Sequence, residues 1–309
     1  MKNYNIARSD LTVSSVILGL MRIGEMADAE IRKLVDAAFS AGINMFDHAD
    51  VYGKPVHHCE ARFAQAMQLS PADREKIVIQ SKAGIRQGFF DFSEVHLLNA
   101  VEGSLKALKT DYLDILLLHR PDALVEPEEV ASAFDKLHAA GKVRNFGVSN
   151  QTPGQIELLK TSVRQPLIVN QVQLSITHAP LIAQGVAINM AGLEQSVDRT
   201  LGLLDYSRKE GMAVQAWSPY QKGFFDGPFI GDRIAYPELN DALDELAGVY
   251  GITPTGVAVA WITRHPARMQ VVLGTTRPER VRESVAGAGV TLSREEWYRL
   301  FCAAGYLVP

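Results

Sequence analysis

Along most of the chain, short runs of apolar residues alternate with longer stretches in which apolar positions recur with a helical period. Eight of the short runs read as strands: Val16–Leu18, Ile43–Phe46, Ile77–Gln80, Ile115–Leu118, Arg144–Val148, Ile168–Val172, Ala213–Ala216 and Gln270–Leu273. Several are unbroken apolar runs, the pattern of parallel strands buried on both faces. Between them the pattern predicts helices over Ala29–Ala41, His58–Leu69, Ser93–Lys109, Pro127–Ala140, Pro153–Thr161, Leu193–Glu210 and Pro237–His265, with a further one over Thr291–Leu300. Gly42, Gly141 and Gly211 each stand between a helical pattern and a strand, where a C′ glycine ends a helix. Thr152-Pro153 and Thr253-Pro254 read as an N-cap followed by the first helical residue.

Repeated strand–helix units with no Gly/Ser/Pro-rich linker predict an α/β fold. A doubly wound sheet that binds a dinucleotide carries Gly-x-Gly-x-x-Gly after its first strand, and this chain has no such motif. Eight units spread over residues 1–309 fit one (β/α)8 TIM barrel, with parallel strands and the active site at its C-terminal face.

Composition narrows the partners. Thirty-one basic residues against 35 acidic ones give a net charge of -4 without a basic run, so nothing suggests a nucleic-acid or anionic-membrane surface. The N-terminus lacks the basic-then-apolar pattern of a secretory signal, and the apolar runs are too short to cross a bilayer. Two cysteines, Cys59 and Cys302, do not make a disulfide framework. The expected location is the cytoplasm.

The chemistry lies at strand ends, which converge on one mouth in such a barrel. The second strand runs out in FDHADVYG, the third in QSKAG and the fourth in LLLHRPD, giving Asp47, Tyr52, Lys82 and His119. The spacings of 35 (82−47) and 37 (119−82) are each about one strand–helix unit. Charged and polar groups placed just past buried runs must satisfy one another or pay for desolvation. Reducing a carbonyl takes a hydride at carbon and a proton at oxygen. A tyrosine can donate that proton, and its ordinary pKa of about 10 needs lowering for work near neutrality. A lysine about 4 Å away interacts by about 4 kcal/mol at an effective dielectric of about 20, nearly enough for a shift of two to three units. An aspartate keeps that lysine charged and in place, and a histidine orients the carbonyl oxygen and assists proton delivery.

The segments FDHADVYG, SKAG, LLLHRPD and GVSN resemble, in order, the signature segments of the aldo-keto reductase superfamily. The resemblance implies that Asp47, Tyr52, Lys82 and His119 form a catalytic tetrad, with Tyr52 as proton donor, in an NADPH-dependent reductase of small aldehydes or ketones. It further implies that Ser149, Asn150 and Gln171 hold the nicotinamide carboxamide and that the ring stacks on Trp217. The phosphates then lie at the loops after strands seven and eight, from Ser218 to Gly223 and over Gly274, Thr275, Thr276, Arg277 and Arg280. The second stretch opens a helix whose N-terminal amides favour an anion, and forked guanidinium groups suit a 2′-phosphate. Glu283 is expected to face the adenine. Two positions depart from the family pattern, Gly274 where many relatives have lysine and Ser284 where many have asparagine, which leaves strict preference for NADP(H) open.

Other features are weighed against this reading. His57, His58 and Cys59 are adjacent rather than spaced on one helical face, so they read as rim residues and no metal site is expected. Phe89, Phe90 and Phe92 suit either a pocket wall or the core, and Met21 is a similar pocket candidate. The long connection 175–197 borders the mouth or covers the barrel. A non-enzymatic rival also exists, because some barrels resembling this family are NADPH-bound regulatory subunits of potassium channels. A third possibility is an unrelated barrel enzyme acting on a phosphorylated metabolite.

Overall fold

The computed structural model describes residues 1–224 and 226–308. An antiparallel hairpin, β1 (Asn3–Asn5) with β2 (Thr12–Ser14), precedes the barrel. The barrel strands are β3 (Val16–Gly19), β4 (Met45–Asp47), β5 (Val78–Ala83), β8 (Leu113–Leu118), β9 (Val143–Ser149), β10 (Leu167–Gln173), β11 (Ala213–Trp217) and β12 (Gln270–Leu273). All pair in parallel with their neighbours in sequence, and β12 closes on β3 through Val271–Val16 and Leu273–Leu18. A short hairpin, β6 (Ile85–Arg86) with β7 (Phe89–Phe90), follows β5 outside the ring. The fold is therefore the expected (β/α)8 barrel.

Two apolar layers result from the two-residue period of the strands. Residues such as Ile17, Met45, Val78, Ile115 and Leu117 pack inside the ring, and Ile6 and Val13 of the hairpin region join them. The opposite faces pack against the surrounding helices in the larger core, which includes Phe46, Leu116, Phe146, Ala216 and Trp261. Helix ends follow the local chemistry. Thr152 and Thr253 accept the amides of Gln155 and Gly256 as N-caps, and Gly42, Gly141 and Gly211 hold left-handed φ of 85°, 69° and 70°.

Some boundaries differ from expectation. The stretch Leu193–Glu210 is not one helix: a 3-10 turn at Glu194–Ser196 and a helix over Leu203–Glu210 are separated by Val197–Gly202. Pro237–His265 is two helices, Pro237–Tyr250 and Pro254–Thr263, which meet at 90°. Gly251, at φ 63°, ends the first, and Thr253-Pro254 starts the second. The 175–197 connection is tied to the C-terminal segment, since Tyr306 Oη accepts from Ala179 N and Gln195 Oε1 accepts from Leu307 N. It also reaches the rim, where the Ser175 hydroxyl donates to the carbonyl of Gln221. No single helix among the described residues is long and apolar enough to cross a membrane.

Candidate active site

At the C-terminal ends of the strands lies a cavity of about 970 Å³. Asp47, Tyr52 and His119 line it, and Lys82 sits directly behind Tyr52 with its ammonium fully shielded from solvent. Strand alternation explains the grouping. Val78, Gln80 and Lys82 are alternate residues of β5 and share its inner face, while Asp47 ends the neighbouring β4. The Lys82 ammonium has three hydrogens and three acceptors: Asp47 Oδ2 at 2.7 Å, the His48 carbonyl at 2.8 Å and Tyr52 Oη at 3.0 Å. Because the phenol oxygen accepts from Lys82, its own hydrogen is left to point elsewhere.

Electrostatics refine the expected roles. Burial would neutralise Lys82, but Asp47 and then Tyr52 reverse that and hold its pKa above the ordinary lysine value. Burial also pushes Tyr52 above its ordinary value, and the opposing pull of Lys82 does not cancel it. The expected net lowering is thus absent, because desolvation of the phenolate outweighs the lysine. Burial, then the charges of Lys82 and Arg120, hold His119 well below the ordinary histidine range. At neutral pH it is an uncharged imidazole, able to donate one hydrogen bond but not to serve as a strong acid. The rings of Tyr52 and His119 meet edge to face with centroids 5.9 Å apart.

Asp47 carries a polar network that sequence reasoning missed. Its Oδ1 accepts from the side-chain amides of Gln80 at 2.6 Å and Gln171 at 2.9 Å. Both amides also donate to Gln215 Oε1, at 2.9 and 3.0 Å. Gln215 donates to Gln270 Oε1 at 3.1 Å, and Gln270 donates to the carbonyl of Ser14 at 2.8 Å. A carboxylate at one end and a backbone carbonyl at the other can only accept, so they fix the sense of every amide between. Gln171 directs both side-chain amide hydrogens inward, leaving its side-chain oxygen Oε1 as the atom available to a ligand. The clue in the sequence was polar residues at alternate, inward positions of otherwise apolar strands.

The residues expected to bind a cofactor divide. Ser149, Asn150, Gln171, Trp217, Ser218, Gly274, Thr275, Thr276, Arg277 and Arg280 all line the cavity. Ser149 donates to the backbone carbonyl of Gln171 at 2.9 Å and accepts from the Asn150 side-chain amide at 2.7 Å, while Asn150 Oδ1 accepts from the Trp217 indole at 3.1 Å. These contacts hold Asn150 and Trp217 in place. Arg277 precedes the helix Pro278–Ala288, and among the described residues neither Arg277 nor Arg280 has an ion-pair partner. Gly223, Glu283 and Ser284 do not line the cavity. Ser284 is buried and bonded to Tyr220 Oη at 2.7 Å and to the Arg280 carbonyl at 2.6 Å, so it braces the helix. Gly223 instead packs against Asp226 in its loop.

The pocket wall is also revised. Met21 lines it, as does Ile85, but Phe89 and Phe90 stand exposed on the small hairpin and Phe92 is buried in the core. His57 is tied to the buried Glu60 at 2.6 Å, and His58 lies against the Gly24 carbonyl at 3.1 Å, so both have structural contacts at the rim.

A (β/α)8 barrel with this constellation at its mouth has the form of an oxidoreductase. Residues 15–301 match the family model described as "Aldo/keto reductase family", and the chain belongs to that family. It is 36% identical over 315 residues to "Uncharacterized oxidoreductase YcsN" of Bacillus subtilis, with 97% of each chain covered. It is 34% identical over 314 residues to a "6-dehydroglucose reductase" of Agrobacterium fabrum, again with 97% of each covered. Among solved structures, the thermostable aldo-keto reductase Tm1743 in complex with the inhibitor epalrestat superposes with a TM-score of 0.78. Its identity is 25%, covering 98% of this chain and 100% of that one.

Proposed function

We propose that this protein reduces an aldehyde or ketone to the alcohol with NADPH, and that Tyr52 delivers the proton. The observation that carries the reading is the saturated Lys82 ammonium: its third hydrogen goes to Tyr52 Oη at 3.0 Å, which directs the phenol hydrogen away from Lys82. A carbonyl oxygen seated between Tyr52 and His119 accepts from both. When bound, the cofactor supplies a hydride for the carbonyl carbon. As negative charge grows on the substrate oxygen, the Tyr52 proton passes to it, and Lys82 stabilises the phenolate that remains. Asp47 keeps Lys82 charged throughout. A pKa raised by burial suits the donor role, because the phenol is protonated at neutral pH when the substrate arrives.

The donor set fits a nicotinamide dinucleotide. The Gln171 side-chain oxygen, oriented through its amide by Asp47 and Gln215, and the second amide hydrogen of Asn150, whose first goes to Ser149, complement the two halves of a carboxamide. Trp217 offers an indole for stacking. Arg277, Arg280 and the amides at the start of Pro278–Ala288 suit phosphate, the 2′-phosphate of NADP included.

The test follows NADPH absorbance across a panel of aldehydes and ketones, with NADPH binding read separately by tryptophan fluorescence. Tyr52→Phe is expected to lower turnover by about 10²- to 10⁴-fold while leaving NADPH affinity within about threefold. Tight NADPH binding with no turnover of any carbonyl by the unaltered protein would instead identify a regulatory cofactor binder.

A further inference from the structure

Next to the catalytic candidates stands a cation with no counter-ion among the described residues. Arg120 directly follows His119 at the end of β8, is half-buried and lines the cavity. Among the described residues it has no hydrogen-bond or ion-pair partner. Its guanidinium lies over the Trp217 ring, 5.6 Å from the centroid. Asp122, two residues on, is not available to it, since its carboxylate accepts from the backbone amides of Phe92 and Leu124, each at 2.9 Å. Asp47 is committed to Lys82 and the glutamine amides. A guanidinium taken partly out of water loses hydration, and arginines in such places ordinarily carry a paired carboxylate or phosphate.

The surroundings reinforce this local sign. Arg22 and Lys54 line the same mouth, both exposed and without an ion-pair partner among the described residues, against Glu25 as the acid nearby. The protein as a whole carries -4, so the positive mouth runs against its overall charge. A cleft lined by one sign attracts ligands of the other.

We infer that the substrate is a carbonyl compound bearing an anionic group, an oxo-carboxylate or its phosphate or sulfonate equivalent, and that Arg120 receives that group while Tyr52 and His119 receive the carbonyl oxygen. The inference rests on the proposed carbonyl reduction and narrows its substrate class. Arg120 binds rather than reacts. Its flat guanidinium, steadied on the Trp217 indole, presents two parallel N–H donors to a carboxylate in a way that lysine does not reproduce. A charge-assisted pair of this kind, partly desolvated, is worth about 10- to 100-fold in apparent affinity.

The test compares ω-oxocarboxylates of two to six carbons with their primary amides, which match them in size and lack the charge. The unaltered protein is expected to prefer the acids by about tenfold or more in kcat/KM, with an optimum at one chain length set by the distance from Arg120 to the carbonyl site. Arg120→Gln should abolish that preference, chiefly by raising KM for the acids, so that the kcat/KM ratio of each acid to its matching amide falls to about one. Arg120→Lys should recover only part of it. A second readout needs no turnover: calorimetric binding of the matching ω-hydroxycarboxylates to the protein saturated with NADP should weaken by about tenfold or more in Arg120→Gln, while that of the corresponding hydroxyamides does not. If amides and acids are reduced equally well, or the preference survives in Arg120→Gln, this inference fails and carbonyl reduction stands. If nothing in either series is reduced, the reductase reading fails, and loss of hydroxycarboxylate binding in Arg120→Gln still decides whether Arg120 is an anion site.

Discussion

The Gln80 amide donates to Asp47 Oδ1 at 2.6 Å, and both residues are buried inside the barrel. This contact gives a carboxylate oxygen that burial has stripped of water a hydrogen-bond donor in its place. Gln80 and Gln171 meet the Asp47 carboxylate at Oδ1, and Lys82 meets it at Oδ2. The cost falls on Gln80, whose own side-chain oxygen is buried without a partner among the described residues. Turning that amide over would set its oxygen against the Asp47 carboxylate, a worse arrangement. Gln80→Leu is therefore expected to lower kcat by about tenfold with little change in NADPH affinity. Gln215→Leu removes the acceptor shared by Gln80 and Gln171, lets the Gln171 amide rotate, and should weaken NADPH binding by about 5- to 30-fold. Fluorescence titration and steady-state kinetics on variants with near-native melting curves separate the two effects. Identical losses in both variants would mean that the ladder is only packing.

How much of this could be read from the chain follows from what each level depends on. The barrel was legible because eight strands and their helices are local patterns, and the Asp47, Tyr52 and Lys82 grouping followed from strand ends meeting at one mouth. The inner network was not, because Gln80, Gln215 and Gln270 acquire meaning only when strands far apart in sequence face one another across the ring. The fate of Ser284 was hidden likewise: on Pro278–Ala288 it could face the cavity or the helix interior, and Tyr220 decides for the interior. The sign of the Tyr52 shift is not legible in the sequence, because the charge of Lys82 is visible there and the depth of burial is not.

Asp50 gives a pH-dependent prediction. It is buried, one carboxylate oxygen lacks a partner among the described residues, and burial, with Glu60 adding to it, pushes its pKa up to about 7 from an ordinary 3.8. Below about pH 4 the group is protonated in both folded and unfolded chains, so it costs nothing. Between about 4 and 7 the unfolded chain ionises while the fold keeps the proton, and stability falls as pH rises; above about 7 the loss levels off. Asp50→Asn removes this penalty. Urea unfolding should find the variant gaining on the unaltered protein by about 2–4 kcal/mol between pH 4.5 and pH 8. A gain that is the same at both pH values would place the carboxyl ionised in the fold throughout.

The close crossing of Pro254–Thr263 with Pro278–Ala288 predicts a packing limit. A Cβ built on Gly287 would stand 1.9 Å from the Gly256 carbonyl oxygen, a backbone atom that cannot swing aside. Gly287→Ala gains helix propensity of up to about 1 kcal/mol and should still lose about 1–3 kcal/mol net from overpacking, which lowers the melting temperature by several degrees. Because Pro278–Ala288 also presents Arg280 to the cavity, NADPH affinity should fall alongside stability. A melting temperature at or above that of the unaltered protein would show that the two helices can part without penalty.

Gly274 sets the last prediction. It lines the cavity just before Thr275 and Arg277, its φ is not left-handed, and a Cβ there meets nothing within 4 Å. Neither backbone nor packing requires glycine, so a long side chain can be added without strain. If the phosphate-bearing end of the cofactor lies over Arg277 and Arg280, Gly274→Lys places a further cation beside it. NADPH should then bind about 3- to 10-fold more tightly and NADH about as before, with the gain shrinking as salt rises, as screening demands for an exposed pair. Equal tightening for both dinucleotides would put the new charge on the shared pyrophosphate. No change for either would move the phosphates off the β12 loop and leave Arg277 and Arg280 as solvated helix charges.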